Sequence, residues 1–425
     1  MINKRIFNML GYVLLFLGVS MIFSAIWSYI DNSDDLTSIL NSSLITSIAG
    51  LFLIIITQLQ FLKIYPYITI KDNDKVDLSH KDGYTLVTLS WVMMTIFGSL
   101  PFYLYGGPFE NYIDAFFESI SGLTTTGATI LAFEDYSNIP RGLMFWRSFI
   151  QFIGGIGIIV FSIAILPLMG FGGVQLFRAE VAGPVADKLT PRVKQTATLL
   201  WTIYFGLIII QTIVLMIEGL TFYDSITHSF TTIATGGFSS NPNSIDTYPS
   251  IVQYTFVIFM LLAASSFSLH YLAIRRGRVE YFKDREFKVY ISLLVLFIFI
   301  FFADNYSKYL FREGVFEEGF RNSLFTATSL LTTTGFTNFD YETWGYTSQT
   351  MIFILFFIGG CAGSTTGAIK IIRTIVVFKF LIRELKKLLH PKGVFNIKIG
   401  SKKIPEEVVS NTLGFYLFYI FIFVF

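Results

Sequence analysis

Three short stretches carry the residues in this chain best suited to chemistry: ESISGLTTTGAT (Glu118–Thr129), THSFTTIATGGFSS (Thr227–Ser240) and TATSLLTTTGFTN (Thr326–Asn338). Each closes on threonine and glycine, and the recurrence of Gly127, Gly236 and Gly335 at a spacing of about a hundred residues marks an internal repeat. Threonine–glycine backbone offers carbonyl and hydroxyl oxygens, acceptors that can replace the hydration shell of a bare cation. Glycine permits the dihedrals that turn successive carbonyls to one side. Other chemistry finds no residues. The four histidines (His80, His228, His270, His390) lack metal or haem spacing, and a single cysteine, Cys361, excludes an internal disulfide. Gly154, Gly155 and Gly157 lie inside an apolar span, without the strand–helix context of a nucleotide loop. No Walker motif, catalytic triad or HExxH is present, which argues against an enzyme.

The elements that must position these residues follow from what precedes them. Each stretch follows or contains an amphipathic dozen: NYIDAFFESISGL, TFYDSITHSFTT and FRNSLFTATSLL. A helix of about 12 residues is roughly 18 Å long, little more than half of a hydrocarbon core of about 30 Å. Such a helix enters the membrane and must return. Non-helical backbone survives at membrane depth only when buried in protein or lining a polar cavity. Each short helix also points its C-terminal partial charge of about −0.5 at its own strand, which favours a cation there. Close packing of small residues explains any one such loop equally well; three in equivalent positions argue for a polar path.

Composition places the chain in a membrane. It is 53% apolar and 14% charged, with 47 phenylalanines, against about 25% charged in soluble domains. Apolar runs long enough to span fall near 6–28, 42–62, 84–104, 143–169, 197–217, 250–274, 286–303 and 349–380. A ninth begins near 408 and reaches Phe425 unfinished, as expected of a chain with a further C-terminal piece. The first run is too long for a signal peptide. With the N-terminus in the cytosol, the inward segments hold 23 of the 31 lysines and arginines, and the outward loops 4; this fixes the orientation.

With these residues in place, the chain resembles the Trk/Ktr/HKT superfamily of potassium transporters, most closely its TrkH type, over nearly its whole length. Two further stretches support the match. AEVAGPVADKLTPRV (Ala179–Val193) is similar to the family's cytosolic connector, and IGGCAGSTTGAIKIIR (Ile358–Arg373) to its loop in the second helix of repeat three. The resemblance implies an all-α polytopic membrane protein of potassium-channel-like plan, with two N-terminal helices and membrane–pore–membrane units arranged pseudo-fourfold in one chain. On that plan residues 1–83 are the N-terminal helices and a linker, and 84–170 pore repeat one. Residues 171–275 are the connector and repeat two, 276–405 repeat three with its gating loop, and 406–425 the start of repeat four. It implies potassium uptake across the bacterial cytoplasmic membrane, K⁺ as the transported ion, bound at the filter residues only, and no organic cofactor in this chain. The carbonyls just below the filter glycines would come from Thr125 and Thr126, Ala234 and Thr235, and Thr333 and Thr334. Glycine at Gly127, Gly236 and Gly335 matches the potassium-selective pattern. The implied partners are a second copy of the chain, a cytosolic ring of NAD- or ATP-binding regulatory subunits and membrane lipid. No nucleic acid is expected, because the basic runs serve as topology signals. A sodium-permeable or Na⁺/H⁺-coupled symporter on the same fold is the alternative.

A gate is legible separately. A continuous helix over 349–380 would extend about 48 Å, well beyond the membrane core. Gly359, Gly360, Gly363 and Gly367 interrupt it beside Ser364, Thr365 and Thr366, and each glycine costs about 1 kcal/mol in a helix interior. A break is expected there, and the resemblance makes Gly359, Gly360, Cys361, Ala362, Gly363 and Ser364 a gating loop. Lys370 and Arg373 beyond it either act on cations at the inner mouth or snorkel to the surface. Glu118, a pore-helix acid, is expected to accept hydrogen bonds from filter backbone rather than to bind the ion. Asp114 and Asp224 are expected as rim charges that concentrate cations.

Overall fold

The computed structural model describes residues 4–61, 80–160, 193–309, 315–400 and 402–425. The connector over 179–193, apart from Val193, and the inner end of the span read over 143–169 therefore lie outside the described residues. Among the described residues six helices are long and apolar enough to cross a membrane, or seven if the bent pair Ser250–Ala263 and Phe267–Arg276 is counted as one span. The chain packs into two units, residues 1–155 with 238–242, and residues 156–237 with 243–425.

In the first unit, α1 (Lys4–Asp31) and α2 (Asp35–Phe61) run antiparallel. Lipid supplies no hydrophobic drive between helices, so small residues and hydrogen bonds hold such pairs. Here a side chain on Gly11 would strike the Gly50 carbonyl, and Ser43 Oγ donates to the Gly18 carbonyl at 2.7 Å. Next come α3 (His80–Gly98) and its continuation α4 (Leu100–Tyr105), the short α5 (Tyr112–Leu123), and α6 (Arg141–Val160). The buried Asp35 accepts from Leu143 N at 3.0 Å, which ties α2 to the start of α6. Trp146 Nε1 donates to the Gly98 carbonyl at 2.9 Å and so fixes α6 against α3.

In the second unit, α7 (Val193–Ile217) leads to the short α8 (Phe222–Ile233) and then to α9 (Ser250–Ala263). The span expected as continuous over 250–274 is not straight: α9 and α10 (Phe267–Arg276) meet at 96°. The break, Ala264–Ser266, contains neither proline nor glycine. It holds because its backbone groups find partners outside their own helix, as described below. After α11 (Val279–Lys283) come α12 (Arg285–Tyr309), α13 (Val315–Leu331) and α14 (Tyr346–Leu355). α13 is 17 residues long, one and a half turns more than the dozen read from sequence. The interruption expected near Gly359–Gly367 is present, and α15 (Ile371–Leu389) resumes beyond it. A small antiparallel hairpin of Lys398–Ile399 with Lys402–Lys403 precedes α16 (Glu406–Val424). Long helix, shorter helix, threonine–glycine stretch and a further helix thus occur in order three times, the last of these helices being broken in the second and third repeats.

Candidate functional site

The three short helices end identically. In the first, the amides of Thr126 and Gly127 both turn back to the Ser121 carbonyl, at 2.9 and 3.5 Å. Thr334 and Gly335 do the same to Ser329, at 2.9 and 3.5 Å. In the second, the residues that do so are Gly236 and Gly237, to Thr231 at 2.8 and 3.5 Å. The equivalent of Gly127 and Gly335 is therefore Gly237, and the alignment on Gly236 is corrected by one residue. The Gly-Phe pairs Gly237-Phe238 and Gly335-Phe336 were the sequence signal for this register.

Backbone dihedrals confirm the correction. Thr125, Thr235 and Thr333 have φ of 54°, 54° and 52°, and Gly127, Gly237 and Gly335, two residues on, have 78°, 73° and 84°. The residue between them is not left-handed. A β-branched residue at positive φ is a genuine outlier and costs on the order of 1–3 kcal/mol, a strain that clusters at functional sites. Here it occurs three times at one equivalent position. A left-handed residue reverses the rotation an ordinary residue gives the next peptide plane, so alternation keeps successive carbonyls on one side of the strand. The threonine hydroxyls satisfy one another, Thr124 with Thr126 and Thr332 with Thr334, both at 2.8 Å. Among the described residues no donor reaches the carbonyls of Thr125, Thr126, Thr333 or Thr334. Those oxygens are available for an ion.

Within the second unit, the second and third strands adjoin. A Cβ built on Gly237 would run into the Thr334 carbonyl, so this position needs glycine both for its φ and for the close approach. Gly335 has the same backbone but open space around it.

Strand one is held from behind by a buried ion pair. Glu118, fully buried on α5, accepts from Thr129 Oγ1 at 3.0 Å and from Ile130 N at 3.2 Å. Its other anchor is Arg147 of α6, 3% exposed, whose Nε donates to Glu118 Oε1. Arg147 Nη1 also donates to the Ser239 carbonyl at 2.9 Å, and its guanidinium lies 3.8 Å from the Phe238 ring centre. One arginine thus supports both strand one and the segment following Gly237. Arg147 lies inside an apolar span and escaped the sequence reading. Asp114 sits in the first turn of α5, and Asp224 pairs with Thr221 as the N-terminal cap of α8. Behind strand three, Asn338 donates to Gln253 at 2.9 Å and to Asn322 at 3.0 Å, and Arg321 donates to the same Gln253 oxygen at 2.7 Å.

The loop between α14 and α15 folds onto itself and onto its surroundings in the second unit. Gly359 N donates to the Ile369 carbonyl at 2.9 Å and Ile371 N to the Gly360 carbonyl at 3.2 Å, which closes its neck. Gly367 N donates to Thr333 Oγ1, a residue of strand three, at 2.7 Å. Thr365 Oγ1 donates to the Ile233 carbonyl, where α8 ends, at 2.9 Å. At the break between α9 and α10 two backbone bonds run reciprocally, Cys361 N to Ala264 O at 2.9 Å and Phe267 N to Gly363 O at 3.1 Å. These partners replace the helical bonds that the bend gives up. Lys370 folds back on the loop, donating to the Thr366 carbonyl and, at 2.7 Å, to its hydroxyl. Arg373 stacks 4.2 Å from the Phe415 ring centre. Ala362 and Ser364 are buried in the turn beside Cys361.

Multi-pass apolar helices, with shorter helices that end in strained threonine–glycine stretches between them, place the chain among polytopic membrane transporters of cations. The chain belongs to the TrkH family of cation transport proteins, whose family model matches residues 50–425. It is 41% identical over 355 residues to the Trk system potassium uptake protein TrkH of Vibrio parahaemolyticus, covering 82% of this chain and 72% of that one. The TrkH of Escherichia coli K12 is 38% identical over 83% of this chain and 72% of its own length. TrkG of the same organism is 34% identical over 81% and 70%. The crystal structure of the potassium transporter TrkH from Vibrio parahaemolyticus superposes with a TM-score of 0.85 at 33% identity, covering 100% of this chain and 84% of that one. This is a family of transporters, not of enzymes.

Proposed function

We propose that the chain carries out potassium uptake across the bacterial cytoplasmic membrane, with Thr125–Gly127, Ala234–Gly237 and Thr333–Gly335 supplying carbonyls to a filter. The observation that carries this reading is the left-handed threonine followed two residues later by a left-handed glycine, three times over, with undonated carbonyls at Thr125, Thr126, Thr333 and Thr334 in strands one and three. K⁺ is the transported ion, and a negative-inside potential drives it inward with about 2.3 kcal/mol per charge per 100 mV. Glu118, bound to backbone and to Arg147, sets the strand rather than the ion. The loop from Gly359 to Ser364 is the gate. The residues that follow it in the same turn, Thr365 bonded to the end of α8 and Gly367 bonded to Thr333, favour an obstructed inner side. Lys370 braces that loop from within, and Arg373 lies on the helix just beyond it. The resemblance adds a second copy of the chain and a cytosolic ring of nucleotide-binding subunits as partners.

The test of selectivity is uptake of radiolabelled rubidium and sodium into proteoliposomes by wild type and Gly335→Ser. The open space at Gly335 admits the serine side chain without a clash, but at φ 84° serine carries roughly 1–2 kcal/mol of left-handed strain, so thermal unfolding is measured beside uptake. Rubidium preference should fall by about tenfold or more, the factor that ~1.4 kcal/mol produces. Equal uptake of both ions by wild type would return the strands to simple packing elements and favour the sodium-permeable alternative. The test of the gate is deletion of Gly359–Ser364, which is expected to raise rubidium flux. Unchanged flux would sink that part of the reading.

A further inference from the structure

We infer that Glu286, at the start of α12, is the latch that holds the loop closed. This rests on the reading of that loop as the gate. Glu286 is buried, 6% exposed. A single carboxylate oxygen, Oε1, accepts from Ala362 N at 2.8 Å and from Ile372 N at 3.1 Å. These two amides lie on opposite sides of the loop, one in its descending arm and one in the first turn of α15. Glu286 therefore cross-links the loop's entrance and its exit to the first helix of the same repeat.

The chemistry favours the closed arrangement. Ile372 N is one of the donors that every helix start leaves without an intrahelical partner, and a negative charge there is stabilised by the helix dipole. Ala362 N lies in a buried turn, where an unpaired amide is costly. Opening the loop breaks both bonds and leaves two amides and a buried carboxylate to be resolvated together. Cys361, next to Ala362 and 1% exposed, reports on the event, because its thiol reaches water only when the loop moves. Sequence gave no hint of this role: a glutamate beside Arg285 at the mouth of an apolar span reads as an interfacial charge.

The experiment uses the intact protein in liposomes, without cytosolic partners, and compares wild type, Glu286→Ala, Glu286→Gln and the Gly359–Ser364 deletion. Rubidium flux is measured on all four. The rate at which a membrane-impermeant thiol reagent labels Cys361 from the cytosolic side is measured on the first three. Glu286→Ala is expected to raise both readouts about tenfold, as ~1.4 kcal/mol does. Glu286→Gln keeps an acceptor oxygen and is expected to stay near wild type; alanine-like behaviour there overturns a hydrogen-bonded latch. A deletion that raises flux while Glu286→Ala changes neither readout overturns the latch and leaves the gate standing. A deletion without effect on flux overturns the gate, and the latch with it. Should the alanine variant fail to assemble, Glu286→Asp withdraws the carboxylate by one methylene. Intermediate rises in both readouts are then expected, and wild-type values overturn the inference.

Discussion

Arg147→Ala is expected to cost about 3–5 kcal/mol of stability, because it leaves Glu118 as an uncompensated buried charge. The side chains are 3% and 0% exposed, so water does not screen the loss. Glu118 would keep its bonds from Thr129 and Ile130. The Ser239 carbonyl and the face of Phe238 would lose their cation. The measurement is thermal unfolding in detergent together with rubidium-over-sodium uptake, for Arg147→Ala, Glu118→Gln and their combination. Removing both partners is expected to cost clearly less than the sum of the single changes, since neither charge is then stranded. Arg147→Lys is expected to rescue only in part. A lysine ammonium cannot present the planar fork that reaches Glu118 and Ser239 at once. Strictly additive single costs would show that the pair is not coupled.

Gly237→Ala is expected to reduce rubidium preference over sodium by about tenfold or more, while Gly236→Ala does far less through the backbone. Alanine at φ 73° carries roughly 1–2 kcal/mol of left-handed strain. Its methyl group also collides with the Thr334 carbonyl, one of the oxygens proposed above for the filter. The backbone of two adjoining strands must then shift, and carbonyl positions decide which ion is held well. Gly236 is not left-handed, so alanine there meets no such dihedral penalty. Paired uptake measurements on the two variants decide the register of strand two. A larger loss of selectivity at Gly236 than at Gly237 would reinstate the alignment read from sequence.

The residues differ in how much of their role could be read before the fold was known. Membrane class and orientation depend on apolar run length and on lysine and arginine placement, both properties of the linear chain. The interruption near Gly359 was equally legible, because four glycines in nine residues weaken a helix whatever lies around them. The bend at Ala264–Ser266 was not. Alanine and serine are compatible with a continuous helix, and the bend is held by Cys361 and Gly363, nearly a hundred residues away. Strand two was legible in part, through the Gly-Phe pair it shares with strand three. TGG contains two glycines, and which of them takes the left-handed conformation depends on where α8 stops turning.

The sequence by itself determined that this is a polytopic membrane protein with three threonine–glycine strands behind short helices and a broken helix in the third repeat. These follow from composition, periodicity and local backbone preference, which act between neighbours along the chain. Only the tertiary structure decided that Gly237 carries the close approach, that Arg147 stands behind strand one, and that Glu286 ties both arms of the loop. Each of those depends on groups meeting across tens of residues, as a close backbone contact at Gly237 and as donor–acceptor pairs at Arg147 and Glu286. Two buried groups far apart in sequence find each other only once helix packing has excluded water from both.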